Sequence, residues 1–365
     1  MEYTKLKCIN QYKSESINPA KTPDTVFEMY SVPIYETGHP EFLRGDEIAS
    51  NKAVVQKNDI LLCKINPRIN RVWVVSDESD KMNIASSEWI VIRNSEYNPE
   101  FLAWYFRTPK FQKLMTSEVT GIGGSLTRAQ PKCVAEYPVP VLDRVKQDEI
   151  VAILNKCKFV IESRKQELDA LDDLIKARFV EMFGDPIANP MGWIETTIGD
   201  ECFYIKDGPH KSLPDIGKEN GGHPFISVRN IVNGYIDFSS ARYISDEDYA
   251  DAIKKCHPEK GDMLYSKGGT TGIAKLIDID EEFANWVHVA VLKFDKTKLN
   301  GIFFENMLNG DYCYEQSQRL TKGIANRDLV LSAMAQIKMY RPPMELQEQF
   351  ADFVHQVDKS KFVDI

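Results

Sequence analysis

The sequence predicts an α+β fold built as two tandem α/β domains, each followed by a helix, the first helix long. Three observations predict it. Strand-like segments recur in one order at a shift near 200 residues. A glycine- and proline-free stretch from about Val145 to Phe183 carries a helical seam. The octet QDEIVAIL (147–154) that opens this stretch returns as QEQFADFV (347–354).

The repeat sets the element plan. YSVPIYETG (30–38) faces FISVRNIVNG (225–234), with Ser31 on Ser227 at a shift of 196. NDILLCKINP (58–67) faces GDMLYSKGGT (261–270), with Asp59 on Asp262 and Lys64 on Lys267 at 203. SEWIVIR (87–93) faces HVAVLKF (288–294) at 201, and NPEFLAWYF (98–106) faces NGIFFENML (300–308) at 202. GSLTR (124–128) faces GIANR (323–327) at 199, which puts Arg128 on Arg327. Small loop insertions account for the drift. DILLCKI and DMLYSK read as buried strands, as do WIVIR and VAVLKF. The segment from Asn98 has aromatic and aliphatic residues at helical spacing behind an Asn N-cap with Pro99 in the first turn. Each unit closes on a strand-like run ending in proline, AEYPVPVL and AQIKMYRPP.

Beyond the first proline run, Leu154, Cys157, Ile161, Arg164, Leu168, Leu171, Ile175, Arg178 and Met182 recur at alternating steps of 3 and 4. That is a coiled-coil seam, and forty residues at 1.5 Å each make a rod of about 60 Å. Gly184-Asp185-Pro186 stops it. Only eleven residues follow the second octet, so the second helix is expected to reach at most half the first. Part of the Leu168–Met182 seam is then expected to lack a partner within the chain. The domain limits drawn from these features are 1–142, 143–186, 187–342 and 343–365.

The 365 residues carry seven scattered cysteines with no CxxC pair, which argues against a zinc ribbon or a disulfide scaffold and for reduced cytosolic thiols. No apolar run is long enough to span a membrane, and the N-terminus lacks a secretory apolar core. Net charge is −9 overall; the four segments carry 0, −2, −4 and −3. No segment is basic, so binding of DNA phosphate would need local clusters of Lys and Arg. There is no P-loop, no strand-bound GxGxxG, no HExxH, no GxSxG and no Asn-Pro-Pro-aromatic motif of an adenine methylase.

Three loops carry donors. KINPRINR holds Lys64, Asn66, Arg68, Asn70 and Arg71 within eight residues. Arg forks match guanine edges and Asn matches adenine. SKGGTTGIAK offers Lys267, Thr270, Thr271 and Lys275 around glycines that let backbone N–H groups approach phosphate. KDGPHKS offers Lys206, His210 and Lys211. Any one of them taken alone reads more readily as a solvated surface loop. The first two stand at matched places in the two repeats, which favours a binding role.

In this order, the segments resemble the DNA-specificity subunits of type I restriction–modification systems. YSVPIYETGHPEF, LLCKINPRINRVWVV and GSLTRAQ look like a first target-recognition domain. PVPVLDRVKQDEIVAIL with its long helix and MFGDP looks like the central conserved region. YIKDGPHKS, SKGGTTG and YRPPMELQEQFADFV look like the second half. The resemblance covers essentially the whole chain. It implies a non-catalytic subunit in which each domain reads one half of a bipartite site in double-stranded DNA. Thr127, Arg128, Arg229, Asn230, Asn326 and Arg327 join the loop residues as candidate DNA contacts. The helices would form an antiparallel coiled coil that sets the domain spacing and docks two methylation subunits, with Leu154, Cys157, Ile161, Leu168, Leu171 and Ile175 on that seam. The chain itself would hold no cofactor; S-adenosylmethionine would sit on the methylation subunit. A motor–nuclease restriction subunit would join for cleavage, and no membrane is involved. Two alternatives remain at this point: a nuclease or methylase with a degenerate motif, and an interaction scaffold, such as an anti-restriction mimic, that binds methylase subunits without reading DNA.

Overall fold

The structure is a computed structural model that describes residues 2–120, 127–324 and 326–361. Gly124, Ser125 and Leu126 of GSLTR, Ala325 of GIANR and the last four residues lie outside the described residues. The chain divides into two units, residues 1–163 and 164–365.

In the first unit the strand Ile60–Cys63 lies between Val72–Val74 and Trp89–Ile92 in an antiparallel sheet. Successive strand side chains point to opposite faces. Ile60 and Leu62 enter a core with Leu102, Phe106 and Phe111 of the following helices. Leu61 and Cys63 enter another with Tyr30, Trp73 and Val91. Burial on both faces explains the unbroken apolar run. A second sheet orders Ser16–Ile17, Lys52–Val54, Met82–Ala85, Val26–Tyr30 and Glu41–Arg44, with Met82–Ala85 and Val26–Tyr30 parallel. The first strand, Tyr3–Lys5, pairs with Pro138–Pro140 and closes the unit just before the long helix.

The second unit repeats this plan. Met263–Ser266 is flanked by Ala274–Leu276 and Val289–Phe294, with Cys202–Asp207 added at the edge. Met263 and Tyr265 enter one core and Leu264 the other. His223–Ile226 again has one parallel neighbour, Ala284–Asn285. Ile194–Thr197 pairs with Lys338–Arg341 as the closing pair. Buried Asp59 and Asp262 each hold a matched cation, Arg93 just after Trp89–Ile92 and Lys293 within Val289–Phe294. Asn98 and Asn300 cap their helices in the same way, each accepting from two backbone N–H groups.

Backbone bonds fix the true register of the repeat. Ser86 N donates to Tyr30 O and Trp286 N to Ile226 O, so the shift of 196 holds at Tyr30. Lys64 N donates to Glu88 O and Lys267 N to His288 O. Glu88 therefore matches His288 at a shift of 200, one less than the sequence comparison gives. Asn66 N donates to Thr127 O and Gly269 N to Arg327 O. Arg327 thus stands where Thr127 stands, and Arg128 matches Asp328. The expected match of Arg128 on Arg327 is off by one residue.

The long helix spans Arg144–Phe183 and the last one Met344–Ser360. Gly184, at φ +77°, ends the first by donating its N–H to Val180 O. The octets acquire a structural meaning. Gln147 is buried; its Oε1 accepts from Asn98 N at 2.8 Å and its Nε2 donates to Leu142 O at 2.8 Å. Gln347 does the same with Asn300 N at 2.9 Å and Pro342 O at 2.8 Å. Each glutamine bolts the first turn of its helix to the N-cap of a helix in its own unit.

Candidate DNA-reading faces

The second unit carries a cleft of about 610 Å³ walled by Ser227, Arg229, Gly268, Trp286, His288 and Arg327, with Asn326 on its rim. A smaller hollow of about 190 Å³ shares Ser227, Arg229 and Trp286 and adds Phe225 and Arg242. The segments that meet here follow the strand ends of the unit. Trp286 and His288 precede Val289–Phe294, and their rings meet edge to face at 4.8 Å. The Arg242 guanidinium lies 5.9 Å from the Trp286 ring centre, a cation–π contact. Gly268 packs on the imidazole: a Cβ there would fall 2.1 Å from His288 Nδ1. Trp286 Nε1 and His288 Nδ1 are buried and without a partner among the described residues. Asp215 sits nearby. Backbone N–H bonds from Tyr243 and Gly217, then the charges of Arg242 and Arg229, hold its carboxyl below the usual range.

Arg229, Asn326 and Arg327 are therefore brought together by the fold, with exposed Thr270 beside Gly269. Asn230 lies beneath them, buried, tying Ser227 to Asp237 and Ser240. The remaining candidates of this unit are placed elsewhere. Lys267 is only 6% exposed, with Asp328 at 2.9 Å and Asp207 at 3.5 Å. Lys275 pairs with Glu305 at 3.2 Å. Burial lifts the Glu305 carboxyl above its usual range, while Lys275 pulls the other way. Buried Thr271 bonds Thr321. The N–H groups of Lys267, Gly268, Gly269 and Gly272 all serve internal backbone bonds. The expected phosphate cradle in SKGGTTGIAK is thus a correction: the loop spends its lysines and these amides on its own structure, because its partners Asp207, Glu305 and Asp328 converge on it from distant segments. Lys206 lies over Tyr204, His210 reaches toward Asp207, and Lys211 reaches toward Asp248 and Asp251. These three do not line the cleft.

In the first unit, Arg68 is exposed on the single turn Pro67–Ile69, whose preceding residue Asn66 is left-handed at φ +46°. The Arg68 carbonyl accepts from Gln112 Nε2 at 2.7 Å, which fixes the turn. Asn70 donates inward to Arg107 O, and Arg71 turns a buried Nε toward the interior. Lys64 is half-buried and its N–H serves the Glu88 bond. Thr127 is buried at the matched place of Arg327, and Arg128 pairs with Glu88 at 3.2 Å. Arg68 is the cation of KINPRINR that projects most freely.

Residues 190–363 match the sequence model of the type I restriction modification DNA specificity domain. That part of the chain is a type I restriction modification DNA specificity domain. Two solved structures show the fold over the whole length. The type I restriction–modification S subunit from M. genitalium is 14% identical with a TM-score of 0.58, covering 99% of this chain and 90% of that one. A chain from a structure describing complex assembly and conformational transition of the type I R-M system is 18% identical with a TM-score of 0.54, over the same shares.

The two helices correct one expectation. The last helix packs antiparallel on the C-terminal part of the long one: Phe350 meets Phe179 and Phe183, and Lys361 reaches Asp172 and accepts at its carbonyl from Arg164. Leu171, Ile175 and Met182 are thereby covered, and Leu168 is half-buried. The bare stretch lies at the other end, where Cys157 and Ile161 are exposed with Ile153, Phe159 and Val160, and Leu154 is half-buried. Antiparallel pairing is the reason: a short second helix starts beside the end of the first and runs out before its beginning. Among the described residues no group of three His, Cys, Asp or Glu could hold a metal, and no helix is long and apolar enough to cross a membrane.

Sequence reasoning missed Arg242, Trp286 and His288. The signal was the run NWVH, a tryptophan and a histidine before a buried strand. Nothing in the sequence tied it to Arg229 or Arg327.

Proposed function

We propose that this chain is the non-catalytic DNA-reading subunit of a type I restriction–modification complex, each unit reading one half of a bipartite site in double-stranded DNA. The observation that carries this reading is the duplication: one backbone frame occurs twice and presents unlike donor-bearing side chains at the same places. A frame kept while its end residues differ suits two readers of two different half-sites. In this reading the long helix docks two methylation subunits, and its exposed apolar stretch from Ile153 to Ile161 is the surface left for them. S-adenosylmethionine is held by those subunits, and a motor–nuclease subunit joins for restriction. The net charge of −9 leaves much of the phosphate contact to basic surfaces of the partners.

A gel shift of the chain with its methylation subunits tests this. A DNA carrying the cognate bipartite site is expected to be retained at physiological salt in preference to one with either half scrambled. Equal retention of all three DNAs, or methylation-subunit binding without any sequence preference, would contradict it.

A further inference from the structure

We propose that the second unit demands a guanine in its half-site and reads it with the guanidinium forks of Arg229 and Arg327; this rests on the DNA-reading function proposed above. Both arginines wall the same cleft. Each is anchored through one terminal nitrogen: Arg229 Nη2 donates to Ser240 O at 2.5 Å, and Arg327 Nη2 to Gln318 Oε1 and, at 3.4 Å, to Thr271 Oγ1. Nε and Nη1 of both have no partner among the described residues. An arginine held on one side and open on the other is pre-organised to meet the paired O6 and N7 acceptors of guanine in the major groove. Trp286 Nε1 and His288 Nδ1 add two more unsatisfied polar atoms to the same wall. Asp215 lies close enough to Arg229 and Arg242 to be influenced by both. That acid offsets part of the local positive field, so the arginines act by geometry more than by general attraction for phosphate.

The first unit lacks this constellation. Register places Thr127 where Arg327 stands, Glu88 where His288 stands and Ser86 where Trp286 stands. The paired-arginine cleft, and the guanine requirement it imposes, therefore belong to the second half-site.

The test is the methylated-adenine motif in genomic DNA of cells carrying the full complex, with the second half-site assigned by exchanging residues 187–342. Arg229→Lys and Arg327→Lys keep the charge and remove the fork. The wild-type second half-site is expected to contain at least one G·C pair. Each lysine variant is expected to lose roughly tenfold or more of the discrimination at such a pair, with the first half-site intact. Arg327→Ala should relax the same position. Lysine variants that keep the full motif would mean that charge on phosphate suffices, and would overturn the inference. So would a second half-site without G·C, or a uniform loss of methylation at every sequence. A wild-type complex with no bipartite motif would instead remove the function on which the inference rests.

Discussion

The matched strand-end regions of the two units share a frame and differ in chemistry. In the first unit, the strand end Lys64-Ile65-Asn66 bonds to Glu88 and Thr127, and the cation that projects is Arg68, on a turn. In the second, the same bonds run from Lys267 and Gly269 to His288 and Arg327, and the cations gather in a cleft around Trp286. Glu88 neutralises Arg128 in the first unit, whereas Asp328 neutralises Lys267 in the second. The backbone bonds that hold the frame do not depend on side-chain identity. Side chains at the ends of that frame can therefore change without cost to it. A residue's place in the frame decides whether its charge supports the fold or faces outward.

Five substitutions would break or sharpen this contrast. Phe350→Ala removes a fully buried ring against Phe179 and Phe183 and should cost about 3–5 kcal/mol, confined to residues 164–365. Hydrogen exchange resolved by unit checks it; equal loss of protection in both units would contradict the separate cores. Lys267→Met strips Asp207 and Asp328 of a cation. Asp207 keeps Lys255 and Asp328 is partly exposed, so about 2–3 kcal/mol is expected, below the usual cost of breaking a buried pair. Denaturant unfolding measures it, and a variant of native stability with a weakened salt dependence of DNA binding would make Lys267 a phosphate contact after all. Arg68→Ala should weaken or relax the first half-site by about 1–3 kcal/mol and leave the second untouched, read by competition gel shift. Unchanged preference would remove Arg68 from the reading face. Gln147→Leu and Gln347→Leu each leave a half-buried N-cap N–H without its acceptor. Each should cost about 1–2 kcal/mol, and nearly the same in the two units. A large inequality would mean that the two bolts are not equivalent.

Much of the fold was legible because apolar runs, Asn caps and proline-closed strands repeat in order. The register was less so. The strand Val289–Phe294 is buried along nearly its whole length, so a slip of one residue violates no polar–apolar alternation. That is why His288 was matched to Ser87 and Arg327 to Arg128. The site was legible only in part. Arg229, Asn326 and Arg327 were found because they lie in repeated segments. Lys267 and Lys275 looked like surface donors because the acids that claim them come from distant parts of the chain. Arg242 was invisible for the same reason: it meets Trp286 only in three dimensions. The seam was visible by spacing, but which end of it is covered depends on the direction in which the second helix runs.

The account stands most directly on one measurement: the methylated motif of a chimera in which residues 187–342 are replaced by the corresponding domain of a subunit with another target. The prediction is that only one half of the bipartite motif changes and the other half stays as in the parent. A change in both halves, or in neither, would contradict the account of two independent readers on one chain.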